Sequence, residues 1–352
     1  MKPNNLMRYI LFLFTLAACQ TSKNQLAPTD TNQPPSIANQ TILPTQSIPT
    51  KTIVPTTTKT EPTVGQIAYA HMEAISEGIG PRVAGTEAEA RAAQYIILEF
   101  ERLGYLSELR PFTVTVKENT INSANIIAIK HGESPLEIIV GAHYDSVDVG
   151  KGADDNASGI GVILEVARRM KEQQTPYTIR FILFGAEEVG LQGSQYYVSK
   201  MTEEQIQNTI AMINLDAVTA GDMAYIYGDE GERGLIRDWA LDFAMENHLA
   251  LQTQLGENPE YPLGTTGDWS DHARFKSVGI PYTYLESTNW GLGKKDGYTQ
   301  VSTEYGEDGQ IWHTGYDTLE YINRTFPGRV QERLNLFVVL LEAILTEFDI
   351  AK

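Results

Sequence analysis

Ile179-Arg180-Phe181-Ile182-Leu183-Phe184-Gly185-Ala186-Glu187-Glu188 is a strand-length apolar run that ends in two adjacent acids. A continuous apolar run of this length suits a strand buried on both faces, as happens where helices cover both sides of a parallel sheet. Four more runs share the character: Asn125 to Ile129, Leu136 to Val140, Ile210 to Leu215 and Ile280 to Leu285. Stretches of helical period lie between several of them, as at Gly159 to Met170 and Leu235 to Met245. An opening helix runs from Glu87 to Leu103, where Gly104 ends it, and a long apolar helix from about Val330 to Phe348 closes the chain. Strands alternating with helices predict an α/β fold, a three-layer α/β/α sandwich around a mostly parallel, mixed central sheet.

In such sheets ligands bind beyond the carboxyl ends of the strands, where loops and helix N-termini converge. The polar residues fall there. Leu136 to Val140 delivers His143 and Asp145, the run quoted first delivers Glu187 and Glu188, and Ile210 to Leu215 delivers Asp216. His143 and Asp145 are two apart in an extended segment and share a face, so the carboxylate can accept the imidazole N–H that a metal leaves unused. Glu187 and Glu188, being adjacent, point in divergent directions and suit different tasks, one ligating and one accepting a proton. Gly152-Ala153-Asp154-Asp155-Asn156-Ala157-Ser158-Gly159 leads into a helix, where helix capping explains one polar residue and leaves a carboxylate free to bridge two cations. His313 stands in a loop before Asp317 and Glu320, a pair that reads as a capping arrangement.

Each feature has a plain alternative: a surface His-x-Asp pair, acids at helix N-termini, an idle loop histidine. Together, two imidazoles, two aspartates and a glutamate make a nitrogen and oxygen ligand set for two zinc ions, roughly 3.5–4 Å apart in such sites. Ligand type favours zinc over manganese or cobalt. The spare glutamate would take a proton from the attacking water and pass it to a leaving amine.

These segments, with Gly80-Pro81-Arg82-Val83-Ala84-Gly85-Thr86, closely resemble the bacterial secreted di-zinc aminopeptidases. Their wider superfamily includes glutaminyl cyclases and the transferrin-receptor and glutamate-carboxypeptidase ectodomains. The resemblance runs from about Val64 to the C-terminus and implies a zinc-exopeptidase-like fold acting on peptide or protein N-termini. By position it implies that His143 and Asp216 hold one zinc, Glu188 and His313 the other, and Asp155 bridges them. Glu187 maps to the general base and Asp145 to the residue orienting His143. Ser270-Asp271-His272 also matches a family segment and is read as structural, since five ligands fill the metal site. Trp312 departs from the pattern, because some members carry a Tyr before the last histidine to stabilise the oxyanion. Tyr144, Tyr298 and Tyr316 are the candidate substitutes. Ser287 to Ile311 has no clear period and reads as a rim or lid over the pocket. The competing readings are a glutaminyl cyclase, which usually binds one ion, and a non-catalytic receptor-like ectodomain, which would be expected to lack ligands or the base.

The first residues read differently. Lys2 and Arg8 precede an apolar run, Tyr9 to Leu16, too short to span a bilayer comfortably, and Leu16-Ala17-Ala18-Cys19 resembles the bacterial lipoprotein box. Residues 1–19 are therefore expected to be a lipoprotein-type signal with Cys19 as the lipidation site, membrane anchoring following from it; secretion without an anchor is the alternative. Cys19 is the sole cysteine of the 352-residue chain, so no intramolecular disulfide forms. Residues 20–63 form a Thr/Pro-rich linker, leaving 64–352 as the peptidase domain. A net charge of −18 with no basic patch repels polyphosphate backbones, so no nucleic-acid partner is expected. The sequence leaves oligomeric state open.

Overall fold

Eight strands form one mixed sheet in a computed structural model that describes residues 61–350. The signal segment, Cys19 and the linker up to residue 60 lie outside the described residues. The strands are β1 (Ser107–Val116), β2 (Asn119–Lys130), β3 (Ser134–His143), β4 (Tyr177–Phe184), β5 (Thr209–Leu215), β6 (Met223–Gly228), β7 (Leu251–Gln252) and β8 (Tyr282–Thr288). Their order is β1-β2-β4-β3-β5-β8-β6-β7. The central strands β4, β3, β5 and β8 run parallel. Antiparallel pairing enters at the β1–β2 hairpin, at β2–β4 and at β6–β8.

β4 shows why a continuous apolar run is needed. Ile179, Phe181 and Leu183 point into one core, while Ile182 and Phe184 point into another on the opposite face. The larger core is closed by α1 (Gln66–Ser76), α2 (Glu87–Arg102), α3 (Gly159–Met170) and the last helix (Arg329–Glu347). The smaller is covered by Tyr197 and Val198 of α4 (Gln192–Lys200) and Phe275 of the short helix His272–Ser277. Helices on both faces give the expected three layers.

Local chemistry fixes the helices that frame the sheet. Thr86 caps α2 by accepting the Glu89 N–H, and Ala92, Ile96 and Phe100 form its buried stripe. α3 is buried almost all round, and its Glu165 accepts the N–H groups of Gly65 and Ala68 at 2.9 and 2.7 Å. That carboxylate serves as the cap at the N-terminus of α1, where a negative charge is favoured. Arg82, fully buried, donates to the carbonyls of Tyr144, Lys151 and Gly152 at 2.8 Å each and ties the segment before α2 to the loops at the strand ends.

Candidate metal centre

His143 ends β3, Asp216 follows β5, and Glu187 and Glu188 follow β4, so three neighbouring parallel strands deliver donors to one edge. The backbone bends to aim them: Ala186, Ala217 and His313 all have left-handed φ, at 56°, 48° and 56°. Non-glycine residues hold that conformation only where surrounding structure imposes it, and such residues gather at functional sites.

Asp155 lies between the two imidazoles. Its Oδ1 is 3.0 Å from His143 Nε2 and its Oδ2 is 3.1 Å from His313 Nε2. The imidazoles then diverge: His143 Nε2 is 3.3 Å from Asp216 Oδ1, and His313 Nε2 is 2.9 Å from Glu188 Oε2. All five expected ligands are thus brought together as two half-sites that share one carboxylate. Donor atoms of His143, Asp155 and Glu188 lie within 4.8 Å of one another, as do those of His143, Glu187 and Asp216. Glu188 Oε1 is buried without a hydrogen-bond partner, and Asp155 Oδ1 meets only the His143 imidazole. Buried carboxylate oxygens left unpaired are costly unless a cation meets them, so this donor set fits zinc.

The surrounding groups hold the cluster in ways the sequence only partly indicated. Asp145 sits 3.6 Å from His143 Nδ1, which lies nearer the Asp145 carbonyl at 3.2 Å. Its carboxylate also accepts the N–H groups of Glu187 and Glu188 at 3.0 and 3.2 Å, fixing that turn as well. The three polar residues before α3 divide their work. Asn156 accepts the Gly159 N–H, Asp154 turns away to accept from Thr219 and Ala220, and Asp155 is left for the site. Asp317 does not cap the helix Leu319–Thr325; Thr318 does, by accepting from Tyr321. Asp317 is buried, and its carboxylate instead accepts the N–H groups of Asp154 and Asp155 at 2.6 and 3.2 Å. Ser270 donates to Asp216 Oδ2 at 2.7 Å, while His272 stacks against Tyr284 and bonds the Gly267 carbonyl.

Sequence reasoning missed Gln300. It is fully buried, donates to Asp154 Oδ2 at 2.9 Å, and accepts the N–H groups of Ile311 and Trp312 at 2.8 and 2.9 Å. One side chain therefore joins the loop of Asp155 to the residue before His313. An isolated glutamine in an aperiodic stretch gives no sequence signal.

The electrostatics match a site built for cations. Burial opposes the His143 imidazolium, but the charges of Asp216 and Glu187 overcome it and hold its pKa well above the usual value. Hydrogen bonds to Asp155 and Glu188 raise His313 to about 11. Burial opposes ionisation of Asp155, yet hydrogen bonds from both histidines keep it below the ordinary carboxylate range. Burial, then repulsion by Asp155, pushes Glu188 up to about 7. Burial also raises Glu187 well above its usual value, with His143 opposing and Asp271 and Asp216 adding to the rise.

An open cavity lies over the cluster, walled by Trp269, Tyr284, Glu286, Tyr298 and Trp312. Of the three candidate tyrosines, Tyr144 is buried with its hydroxyl on the Ala124 carbonyl, and Tyr316 is exposed and packs on Tyr321. Only Tyr298 among them lines the cavity, and the segment expected to form a rim supplies it together with Gly297.

Imidazoles and carboxylates converging at the carboxyl edge of parallel strands are the donor set of a metallohydrolase. Residues 125–338 match the model of peptidase family M28, and the chain belongs to that family. It is 35% identical over 301 residues to the alkaline phosphatase isozyme conversion protein of Escherichia coli (strain K12), covering 77% of this chain and 87% of that protein. It is 33% identical to aminopeptidase YwaD of Bacillus subtilis (strain 168), over 62% of this chain and 43% of YwaD. The fold is similar to that of a solved zinc aminopeptidase from Bacillus subtilis, with TM-score 0.65 and 21% identity, covering 81% of this chain and 96% of the other.

Proposed function

We propose that this chain is a zinc-dependent aminopeptidase that releases N-terminal residues from peptides. The observation that carries the reading is Asp155 between His143 and His313, with Asp216 and Glu188 completing the two sides. His143 and Asp216 would hold one zinc, His313 and Glu188 a second, and Asp155 would bridge them. Bound zinc supplies Lewis acidity, which activates water near neutral pH and polarises the scissile carbonyl.

The remaining work falls to the chain's own groups. The Glu187 carboxylate takes the proton of the attacking water and returns it to the leaving amine nitrogen, a role its buried and raised carboxyl suits. Asp145 fixes His143 and the Glu187 turn together. Tyr298, the candidate tyrosine that lines the cavity, would donate its hydroxyl to the oxygen that gains charge. Residues 1–19 are read as the signal of an exported lipoprotein anchored through Cys19, 20–63 as a tether, and 64–352 as the catalytic domain.

Purified protein should cleave aminoacyl-anilides in a chelator-sensitive way and leave N-acetylated substrates intact. Cleavage of blocked and free substrates alike would sink the aminopeptidase assignment. Cyclisation of N-terminal glutamine on a single zinc would replace it with the cyclase alternative.

A further inference from the structure

Glu187 is the proposed base, yet among the described residues no hydrogen bond reaches its carboxylate. Its aim is therefore set by its backbone, a turn whose successive N–H groups meet buried side chains. Asn125 Oδ1 accepts from Gly185 at 3.3 Å, and the Asp145 carboxylate accepts from Glu187 and Glu188 at 3.0 and 3.2 Å. Ala186 stands between them in the left-handed conformation, with φ 56°, and its N–H points at the carboxylate of Glu89. An alanine keeps that conformation only while its surroundings impose it.

Glu89 lies in the first turn of α2 and is 3% exposed. A glutamate at this place in a helix ordinarily reaches back to the N–H of the capping residue. Here the capping Thr86 gives its N–H to the Val83 carbonyl at 3.1 Å, and Glu89 reaches past it. The Gly85 N–H donates to its Oε2 at 2.6 Å, and Ser123 Oγ donates to its Oε1 at 2.5 Å. These bonds press the carboxylate against the turn that carries the base. A Cβ on Gly185 would lie 2.9 Å from Glu89 Oε1 and closer still to Ser123 Oγ, so only glycine allows the approach. On the far side, the Gln192 N–H donates to the Ala186 carbonyl at 3.0 Å, and those of Gly190 and Leu191 to the Glu187 carbonyl at 2.8 and 2.7 Å. The turn is thus held from α4 through its carbonyls and from α2 through Glu89.

From this we infer that Glu89 is a positioning residue for the base: by holding the Ala186 N–H it fixes the left-handed turn that aims Glu187 into the cavity. The inference rests on the aminopeptidase reading, with Glu187 as base, and deepens it. Glu188 keeps its own ties to Asp145 and His313, so the metal centre does not depend on Glu89.

Reach and charge are separated by two variants of the zinc-loaded protein, assayed on an aminoacyl-4-nitroanilide alongside metal content. Glu89→Asp keeps the charge and withdraws the carboxylate by one methylene, so kcat should fall about 10–100-fold, the effect of misplacing a reacting group by about 1 Å. KM should stay within about 3-fold, because an aimed base acts only in the transition state, and zinc content should match wild type. Glu89→Gln keeps the reach and an oxygen for Ala186, and it should recover kcat to within about 5-fold of wild type. Ser123→Ala frees Oε1 without touching α2 and carries the test should Glu89→Asp not fold; kcat should then fall about 3–10-fold at constant KM. Wild-type kcat in Glu89→Asp, or in Ser123→Ala where that variant does not fold, overturns the inference. So does a Glu89→Gln protein as slow as Glu89→Asp, or a loss of zinc in step with the loss of kcat. Each of these refutes the role of Glu89 alone, whereas a wild-type protein that cleaves no anilide refutes the aminopeptidase reading beneath it.

Discussion

Replacing Gln300 by Ala removes three buried hydrogen bonds at once. Two are from the backbone N–H groups of Ile311 and Trp312, and one is to the Asp154 carboxylate. Neutral bonds contribute about 1 kcal/mol each and a bond to a charged group about 1.5–3, so the loss is about 4 kcal/mol. Unfolding entropy near 2 cal/mol/K per residue gives about 0.6 kcal/mol/K over the described residues, and the thermal midpoint should fall by about 7 °C. The damage is directional. Asp155 remains held by Asp317, but the stretch leading to His313 loses its tie, so the side formed by His313 and Glu188 should bind zinc about 10–100-fold more weakly than the side formed by His143 and Asp216. Scanning calorimetry of zinc-loaded protein, followed by chelator titration with metal analysis, reads both effects. A midpoint within about 2 °C of wild type, or two zincs lost in parallel, would refute the role given to Gln300.

Three further outcomes follow from the same geometry. Burial raises Glu89 to about 7, although Ser123 donates to it at 2.5 Å and the Gly85 N–H at 2.6 Å. Its folded pKa lies above the unfolded value, so its stabilising effect is complete below the unfolded pKa of 4.5 and is lost as pH rises through about 7. Glu89→Gln should therefore flatten the fall in stability between pH 5 and 8 by up to about 3 kcal/mol in urea titrations; equal slopes for both proteins would contradict this. Ser270→Ala takes the donor from Asp216 Oδ2 and the partner from Asn214, and zinc affinity in chelator competition should drop about 10–100-fold with the fold intact. Asp145→Asn sets an amide where one carboxylate now serves His143 and two backbone N–H groups, so both metal affinity and kcat should fall; a change in KM alone would mean that Asp145 touches neither.

The parallel centre of the sheet was legible because strands buried on both faces must be mostly apolar, as in Ile179 to Phe184 and Ile210 to Leu215, which carry one polar residue each, Arg180 and Asn214. Of the β1–β2 hairpin only Asn125 to Ile129 stood out: Ser107–Val116 is half exposed, and its residues alternate weakly among threonines and charges. The six-residue β6, Met223–Gly228, was passed over, and the two-residue β7 was too short to stand out. At the site, strand ends pointed to His143, Glu188 and Asp216, while Asp155 and His313 rested on the family resemblance. Both lie on loops whose course depends on distant partners. Asp317, Asp154, Gln300 and Arg82 set that course, partly through bonds such as Arg82 to Tyr144, Asp317 to Asp154 and Gln300 to Asp154 that span 62, 163 and 146 residues of chain. Local pattern cannot display such pairs, which is why Asp317 read as a helix cap and Gln300 went unnoticed.

The central claim is that two imidazoles and three carboxylates hold a pair of zincs which, with Glu187 as base, open the first peptide bond of a free N-terminus. Metal content measured on the same preparation as turnover tests it most directly, using wild type and Glu187→Gln against free and N-acetylated peptides. The account predicts two zincs per chain in both proteins, with cleavage of free N-termini by wild type alone. One zinc per chain, or a Glu187→Gln protein that turns over like wild type, would contradict it.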